Sequence, residues 1–334
     1  MQINKKTDKL EVSQINVVNF SEIKANTIHK GDIDRSFALP ESKLLLKNEL
    51  ANSICLREIN ETYQVYLVEG NKSPTIMREI GRLREIAFQF VGEGTGKVWD
   101  IDDYDAYYQQ IVLWDSSQSL IIGGYRIAKA EAIIEKMGIK GLYNHRLFEF
   151  HEDLLPKLKQ GVELGRSFIN PQHWGRRHLD YLWMGIGSFL AQNSDIRYLF
   201  GAVSISNAFP KKAQIAIVQF YRAYFGEEIP GVNARNRFKL PKHNPYFGDD
   251  YRKEFKHLVQ FLNSYGVSVP PLYKHYSELA EMDGVSVLAF NVDPYFNYCV
   301  DALMIVDREK IKAKKAQRYI FADTKSSHQK TGKV

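Results

Sequence analysis

Cysteine and long apolar runs are scarce in this chain of 334 residues. Cys55 and Cys299 are its only cysteines, so neither a disulfide framework nor a thiolate metal site is expected. No apolar run approaches the roughly 20 residues that span a bilayer. The longest candidate, residues 181–191, is better interpreted as a buried helix. The first residues lack the apolar segment of a secretory signal, and we therefore expect a cytoplasmic protein.

Excess positive charge is confined to the C-terminal end of the chain. The formal net charge is +6, and residues 308–334 hold nine Lys or Arg against two acidic residues, so +7 in this tail leaves about −1 for the rest. Nucleic-acid binding needs basic residues interleaved with aromatic ones on the folded body, and that pattern is absent. The tail is either a solvated terminus or a weak peripheral contact with an anionic membrane.

The apolar residues are numerous and regularly spaced. Hydrophobic content of 44%, with 13% aromatic, is ample for a folded core. Apolar residues at three- and four-residue spacing predict a helix that begins at a Ser73-Pro74 cap and ends at Gly92. Apolar runs predict strands at residues 63–70, 110–114, 120–128, 161–169, 196–205, 285–290 and 299–306.

The order of these elements predicts an α/β (α+β) fold, in which helices flank one mixed, mostly antiparallel sheet. No linker rich in Gly and Ser divides the chain, and no repeat is present. We expect an N-terminal arm at residues 1–44, one domain at 45–310 and a basic C-terminal tail at 311–334.

The predicted strand GVELGRSFI, residues 161–169, carries two charges in an apolar setting. Strict alternation places Glu163 and Arg166 on opposite faces, and a bulge at Gly165 would bring them to the same side. A Glu in such a strand is costly to bury unless it is paired or used in chemistry. Its two interpretations are a functional acid and an edge-strand residue that faces water.

The turn after this strand carries Gln172, Gly175, Arg176 and Arg177 where a helix begins. Backbone N–H groups at a helix start, together with two arginines, favour an anion-binding site. The spacing resembles the Q/R-x-x-G-x-G/A phosphate loop of GNAT acyltransferases, although Arg177 stands where that loop has Gly or Ala. Surface arginines at a helix cap are the alternative interpretation.

A spaced series of charged and aromatic residues extends upstream of the strand: Arg84, Phe88, Trp99, Asp102, Asp105, Asp115 and Arg126. Together with Glu163 and Arg166 it resembles the pattern of acyl-homoserine-lactone synthases. Those enzymes have Arg-x-x-x-Phe on a first helix, then Trp, Asp, Asp, Arg and finally Glu-x-Ser-Arg. Gly165 replaces their serine, so any role of that hydroxyl is absent or moved.

Four ordered motifs carry a closer resemblance. They are the ELGRS strand at residues 163–167, the LWMGIGSFL helix at 182–190, a helix at 271–279 and a DPYFN turn at 293–297. In these motifs the chain is similar to the ornithine-lipid N-acyltransferase family, over about residues 60–307. The resemblance implies a GNAT-like acyltransferase fold. It also implies transfer of a 3-hydroxy fatty acyl group to the α-amine of an amino acid such as ornithine or glycine, with acyl carrier protein or acyl-CoA as donor.

Such a reaction needs one general base. A thioester is already activated, so neither a covalent intermediate, a metal nor a permanently bound cofactor is expected. The amine of the amino acid enters protonated, and a carboxylate within hydrogen-bond reach must take its proton. Glu163 is the predicted base, with Asp102, Asp103 and Asp105 as weaker candidates.

Other residues are expected to bind the substrates. Arg126 or Arg166 is suited to the carboxylate of the amino acid, and a backbone N–H near Phe168 is suited to the oxyanion. Arg84 either contacts the substrate or pairs with the aspartates. The remaining predicted contacts are Phe88, Trp99, Asp102, Asp105 and Asp115 for the substrate, and Phe168, Gln172, Gly175, Arg176 and Arg177 for the pantetheine phosphate of the donor.

Four other functions stay open from the sequence. An acyl-homoserine-lactone synthase would share the fold, but such enzymes lack the segments at residues 271–282 and 293–297. An acetyl-CoA-dependent acetyltransferase disagrees with Arg177 in the phosphate loop and with the long C-terminal third. A membrane-active role would need an amphipathic or spanning segment, and none is found in the sequence. The last alternative is a protein-binding module that has lost activity. His173 and His178 have no third ligand nearby, so metal binding is not expected.

Overall fold

The computed structural model describes residues 37–227, 231–242 and 247–321. Most of the predicted N-terminal arm and the end of the predicted C-terminal tail lie outside these residues. The proposed domain boundaries and the membrane contact of the tail therefore stay predictions.

The described residues form one large sheet and one small one. Eight strands make the large sheet in the order β1-β2-β3-β4-β6-β7-β10-β9, and β5 pairs with β8. All neighbours are antiparallel except β6 and β7, which are parallel. The strands are β1 (Ile54–Glu58), β2 (Tyr63–Glu69), β3 (Gln109–Asp115), β4 (Leu120–Lys129), β5 (Phe148–Phe150), β6 (Gly161–Ile169), β7 (Tyr198–Ile205), β8 (Val232–Ala234), β9 (Val285–Asp293) and β10 (Cys299–Asp307).

Helices cover both faces of the sheet, as the sequence predicts. They are α1 (Lys43–Ala51), α2 (Pro74–Phe90), α3 (Ala130–Met137), α4 (Leu155–Lys159), α5 (His178–Gln192), α6 (Lys211–Phe225), α7 (Tyr251–Asn263), α8 (Pro271–Leu279) and α9 (Ala313–Tyr319). The mixed, mostly antiparallel sheet between helices is the expected GNAT-like fold. The described residues include no helix with the length and apolar character needed to cross a bilayer.

Strand β3 shows why its sequence is apolar throughout. Ile111 and Leu113 pack with α5 on one face of the sheet, whereas Val112 and Trp114 pack with α2 on the other. A strand buried on both faces has no polar side, so it reads as a continuous apolar run instead of an alternating one. The sequence pattern does not predict β1, β5 or β8, because each is short and weakly patterned.

Helix α2 begins at Pro74 as predicted, but its cap is different. Ser73 occupies the N-cap position without a side-chain hydrogen bond to the helix. The carboxylate of Glu49 from α1 accepts from the backbone N–H groups of Thr75 and Ile76, at 3.0 and 2.8 Å. A carboxylate at a helix start is stabilising because it satisfies free N–H donors and opposes the positive end of the helix dipole. This long-range cap fixes α1 to α2.

Strands β6 and β7 separate after a short stretch of pairing. Their register runs only from Gly161–Tyr198 to Glu163–Phe200, after which β7 continues along β10 as far as Ile205. Gly201 lies at the point of separation, where a Cβ would meet the carbonyl oxygen of Leu164 at 2.0 Å. A wedge-shaped opening in the middle of the sheet follows from this divergence.

Candidate active site

A cavity of about 60 Å³ fills the opening between β6 and β7. Residues 164–167 of β6 and 202–204 of β7 form its sides. Because it lies between strands, its walls come from both faces of the sheet: Tyr125, Leu272 and Tyr276 on one face, and Phe88, Tyr143, Leu147 and Phe296 on the other, with Asp293 and Asp301 completing the lining. Apolar rings and buried polar groups thus meet in one place, as in a small-molecule site.

Arg166 reaches this cavity because β6 contains a bulge, at Arg166 and Ser167 and not at Gly165 as predicted. The register with β4 shifts between Gly124 and Arg126, so Arg166 and Ser167 together oppose the single residue Tyr125. Arg166 adopts a left-handed backbone conformation with φ of 50°, which is the conformation that such a bulge requires. The strained residue is Arg166 itself and not the neighbouring Gly165.

Arg166 and Glu163 share a neighbour, Tyr143. Arg166 donates from Nη1 to the hydroxyl of Tyr143 at 2.8 Å, and the backbone N–H of Tyr143 lies 3.2 Å from Oε2 of Glu163. The guanidinium also stacks over the ring of Tyr143, at 4.8 Å, and over that of Phe296, at 5.0 Å. Its Nε lies 3.0 Å from Oδ2 of Asp100.

Glu163 is buried, but it does not border the cavity. Its carboxylate accepts hydrogen bonds from the hydroxyl of Tyr108, the backbone N–H of Tyr143, and both the backbone N–H and the side-chain amide of Asn144. Burial raises the pKa of this carboxyl, and the donors from Tyr108 and Asn144 oppose that rise. All its strong acceptor positions are taken by the protein. The structure thus does not place Glu163 where the predicted base must be.

The predicted substrate contacts Arg84, Asp102 and Asp105 form a buried network behind the cavity, together with Arg126. Arg84 pairs with Asp105 at 3.0 Å and donates to Gln110 at 2.6 Å. Arg126 pairs with Asp102 and faces the rings of Tyr104, Tyr108 and Tyr143. Although burial favours the neutral acid, Arg84 and Arg126 hold the pKa of Asp105 well below its usual value.

This network corrects two predicted roles. Arg126 does not line the cavity, so the carboxylate-binding prediction is left to Arg166. Arg84 follows the alternative interpretation and pairs with the acidic run. Asp102 and Asp105 cap the short 3₁₀ helix Asp103–Ala106, each accepting a backbone N–H, so their carboxylates are committed to holding this loop and the arginines.

The predicted phosphate loop lies between β6 and α5. Gly175 has φ of 77°, a conformation that glycine adopts without strain. Helix α5 begins at His178 without a side-chain cap, and the start of a helix is electropositive. Arg177 is exposed and forms an ion pair with Asp180 at 3.4 Å. Gln172 and Arg176 belong to the same loop, and their contact with a phosphate stays a prediction.

The remaining predicted residues are dispersed. Phe88 lines the cavity. Phe168 packs its ring in the core under α2, and an oxyanion role of its N–H is untested. Trp99 lies half-exposed beside Gly81. Asp115 does not line the cavity: it closes the predicted β3–β4 turn by accepting from the N–H groups of Ser117 and Gln118, and its contact with the substrate stays a prediction.

Several residues of the site are missed by sequence reasoning. Tyr108, Tyr143 and Asn144 surround Glu163, and their positions depend on packing that no local pattern reveals. Asp301 carried a usable signal, because it interrupts the apolar run of β10, and an acid there is costly unless it has a function or a partner. Glu93, between two glycines, is likewise buried.

Comparison with known proteins finds relatives along most of the chain. A family model described as an acetyltransferase (GNAT) domain matches residues 83–184. A glycine N(alpha)-acyltransferase of Phocaeicola vulgatus is 31% identical over 259 residues, which cover 72% of this chain and 79% of that protein. An L-ornithine N(alpha)-acyltransferase of Rhizobium meliloti is 25% identical over 244 residues, or 71% of this chain and 76% of that protein.

A solved N-acyl amino acid synthase from uncultured soil microbes covers 78% of this chain and 97% of its own, with 9% identity and a TM-score of 0.39. A likeness this slight supports no conclusion by itself.

Proposed function

The chain belongs to the family of amino-acid N(alpha)-acyltransferases, and on that premise we propose that it transfers a fatty acyl group from a pantetheine thioester to the α-amine of glycine. Glycine is favoured as the acceptor because the glycine-specific relative is 31% identical, against 25% for the ornithine-specific one. The single observation that supports the reaction most directly is the cavity in the opening between β6 and β7, where two substrates can meet inside the sheet.

The volume of the cavity suits a small acceptor. A cavity of about 60 Å³ has room for only a few water molecules. It accommodates the reacting carbonyl and an amino acid without a side chain more readily than ornithine. It does not hold a whole fatty chain.

The donor is proposed to approach across the start of α5. The N–H groups of the first turn, with Arg176 and Arg177 in the loop just before them, suit the phosphate of a pantetheine arm. The glycine at position 175 leaves its surroundings open, since a Cβ there would meet nothing within 4 Å. The arm of acyl carrier protein and that of coenzyme A carry the same phosphopantetheine chemistry, and acyl carrier protein is the proposed donor.

Arg166 is proposed to bind the carboxylate of the amino acid. Among the described residues that line the cavity it is the only Lys or Arg. Its side chain is held by Asp100 and Tyr143, and an oriented guanidinium loses little freedom when a ligand binds. The carboxylate would thus be fixed at one end of the cavity, with the amine turned toward the thioester.

The chemistry that follows is addition and elimination at the thioester carbonyl. The neutral amine attacks the carbonyl carbon, a tetrahedral oxyanion forms, and the C–S bond breaks as the amide forms. Backbone N–H groups of β6 beyond Glu163 lie on the strand edge that β7 leaves, and they are the proposed donors to the oxyanion. Holding both reactants in this orientation removes much of the entropic barrier.

The test is product formation by the purified chain. The protein is incubated with hexadecanoyl- or 3-hydroxyhexadecanoyl-carrier protein and, separately, with glycine, serine, ornithine or S-adenosylmethionine, and products are identified by mass spectrometry. N-acylglycine is the expected product. N-acylornithine alone would overturn the acceptor assignment, and acyl-homoserine lactone or no product would overturn the reaction. Repeating the assay with the same acyl group on coenzyme A decides between coenzyme A and acyl carrier protein as the donor.

A further inference from the structure

Two carboxyl groups near the cavity have no role in the reaction as described so far. Asp301 on β10 lines the cavity and is only 6% exposed, and Glu93 in the loop after α2 is 9% exposed. A third acid of the lining, Asp293, is already used, because it accepts from the N–H of Tyr295 in the β9–β10 turn. Buried carboxylates without a cationic partner are costly, so Asp301 and Glu93 require an explanation.

The two groups are linked through Ser204 on β7. Asp301 stands directly opposite Ser204 in the β7–β10 register, and the hydroxyl of Ser204 donates to Oε2 of Glu93 at 3.1 Å. Within the part of the chain that the structure describes, the Asp301 carboxylate has one weak side-chain contact, from the thiol of Cys299 at 3.7 Å. Asp301 therefore borders the cavity with most of its hydrogen-bonding capacity unused.

A second, independent feature indicates that a polar ligand belongs in this cavity. The hydroxyl of Tyr125 is buried and has no hydrogen-bond partner among the described residues. Tyr125 is 2% exposed, and it lines the same cavity as Asp301. Ser167, Trp183 and Tyr276 lie close enough to the hydroxyl to oppose the burial that raises the pKa of Tyr125 to about 12, but none of them reaches it with good hydrogen-bond geometry. A buried hydroxyl is rarely left unsatisfied unless water or a ligand completes it.

The electrostatic surroundings increase the proton affinity of both acids. Burial raises the pKa of Glu93 to about 7, with Ser204 and Arg166 opposing the rise. Burial, Asp293 and Glu93 also raise the pKa of Asp301 well above its usual value, and Arg166 again opposes it. Cys299 and Tyr273 are the other titratable groups coupled to both acids. Such a group can accept a proton and later release it.

We propose that Asp301 is the catalytic base: its carboxylate binds the ammonium group of the acceptor amino acid inside the cavity and takes its proton, while Glu93 is a positioning residue that tunes Asp301. This inference rests on the proposed N-acyl transfer. Asp301 and Arg166 then hold the amine and the carboxylate of one amino acid from two sides.

The proton and electron balance is simple. The ammonium gives one proton to Asp301 and becomes a neutral amine, whose lone pair forms the C–N bond. The C–S bond breaks with its electron pair on sulfur, and the second amine proton reaches the thiolate to give the pantetheine thiol. Asp301 returns its proton to water, so the net reaction releases one proton and needs no oxidant or co-reactant.

The experiment measures kcat/KM for glycine with hexadecanoyl-carrier protein between pH 6 and 10 for the wild type, Asp301→Asn and Glu93→Gln. For Asp301→Asn we expect a loss of about 100-fold at pH 7. That loss should shrink as the pH rises, because glycine then arrives with its amine already neutral. Glu93→Gln removes a neighbouring negative charge, lowers the pKa of Asp301 and moves the acid limb of the profile to lower pH.

Controls separate the possible failures. Asp283→Asn, a change at an exposed acid paired with Lys310, should leave kcat/KM unchanged. If the wild type makes no N-acyl amino acid, the proposed function fails and this inference fails with it. If the wild type is active and folded Asp301→Asn keeps full activity at pH 7, only the inference fails. If Asp301→Asn does not fold, the pH profile of Glu93→Gln is the test. An acid limb of kcat/KM that lies at the same pH as in the wild type overturns the proposal.

Discussion

Arg166 and Asp100 form a buried ion pair, with Nε of the arginine 3.0 Å from Oδ2 of the aspartate. Side-chain exposure is 9% for Arg166 and 2% for Asp100, so solvent screens the pair weakly. Burial raises the pKa of Asp100, and Arg166, Arg84 and Arg126 oppose the rise. The arginine that lines the cavity is therefore also the main counter-charge of a buried acid.

Removing the guanidinium should destabilise the fold as well as the reaction. Arg166→Ala leaves Asp100 buried without its nearest cation, and the loss of one partner of a buried pair costs about 3–5 kcal/mol. We expect a drop of that size in the free energy of unfolding, measured by denaturant titration. The double variant Arg166→Ala with Asp100→Asn should recover part of it. Equal stability of the single and double variants would contradict the coupling.

Glu163→Gln distinguishes a positioning residue from a base. Glutamine would turn an NH₂ group toward donors from Tyr143 and Asn144, at a cost of about 1–3 kcal/mol for a buried mismatch. We expect lower stability and lower kcat, with a loss in kcat/KM that is the same at pH 7 and pH 9.5. A loss that disappears at high pH would restore Glu163 as the base that the sequence predicts.

The phosphate loop predicts an effect on the donor alone. Arg176→Glu with Arg177→Glu should raise KM for acyl carrier protein at least about 10-fold, because each charge-assisted contact contributes on the order of 1.5 kcal/mol. The KM for glycine should stay the same. Added salt should reduce the difference in KM for acyl carrier protein between the variant and the wild type. Lys136→Glu, a charge reversal at an exposed site on α3, is the control. Equal effects of the two charge reversals would exclude a specific site.

Gly201 tests the point where β6 and β7 separate. Gly201→Ala would place a Cβ 2.0 Å from the carbonyl oxygen of Leu164, and such overpacking costs about 1–3 kcal/mol. We expect thermal unfolding at a lower temperature. Gly165→Ala, where a Cβ meets nothing within 4 Å, is the matched control. It should change the stability by less than about 0.5 kcal/mol, and a comparable loss there would contradict the argument.

Glu93 predicts a pH dependence of stability. Its pKa rises from an ordinary 4.5 to about 7 in the folded protein, so the folded state holds this proton more tightly than the unfolded chain does. The contribution of Glu93 to the free energy of unfolding is complete below pH 4.5 and is lost as the pH rises through 7. For a pKa change of this size the loss is about 3 kcal/mol. Glu93→Gln should lose less stability between pH 5 and 8 than the wild type, as measured by urea titration. Parallel pH curves would contradict the assignment.

The large sheet could be predicted because most of its strands have a recognisable pattern of apolar residues in their own sequence. The apolar runs of β3 and β4 and the alternating run of β2 are read correctly from sequence. A bulge in β6 was also anticipated, because Glu163 and Arg166 reach the same side only if the strand is irregular; the sequence placed it at Gly165, and the structure places it at Arg166 and Ser167. Strands β5 and β8, with three residues each, carry too little pattern to be recognised and depend on each other for pairing.

The site was less predictable, for a physical reason. Glu93 and Ser204 are 111 residues apart in the chain, and only the folded sheet brings them to Asp301. Charged residues clustered in sequence, such as Asp102 and Asp105, instead neutralise Arg84 and Arg126 away from the cavity. Spacing along a chain identifies residues that share a motif, but the assignment of roles depends on which of them the core leaves accessible.

The bulge at Arg166 and Ser167 changes the face of the sheet to which each later side chain of β6 points. Side chains alternate between the two faces of a strand. Deletion of Ser167 would therefore restore regular alternation and move the side chains of Phe168 and Ile169 to the opposite faces of the sheet. Phe168 would leave the core under α2, and Arg166 would swing away from Asp100. One inserted residue thus decides which face of the sheet each later side chain of β6 occupies. Related chains could therefore tolerate many substitutions in this strand but hardly any change in its length.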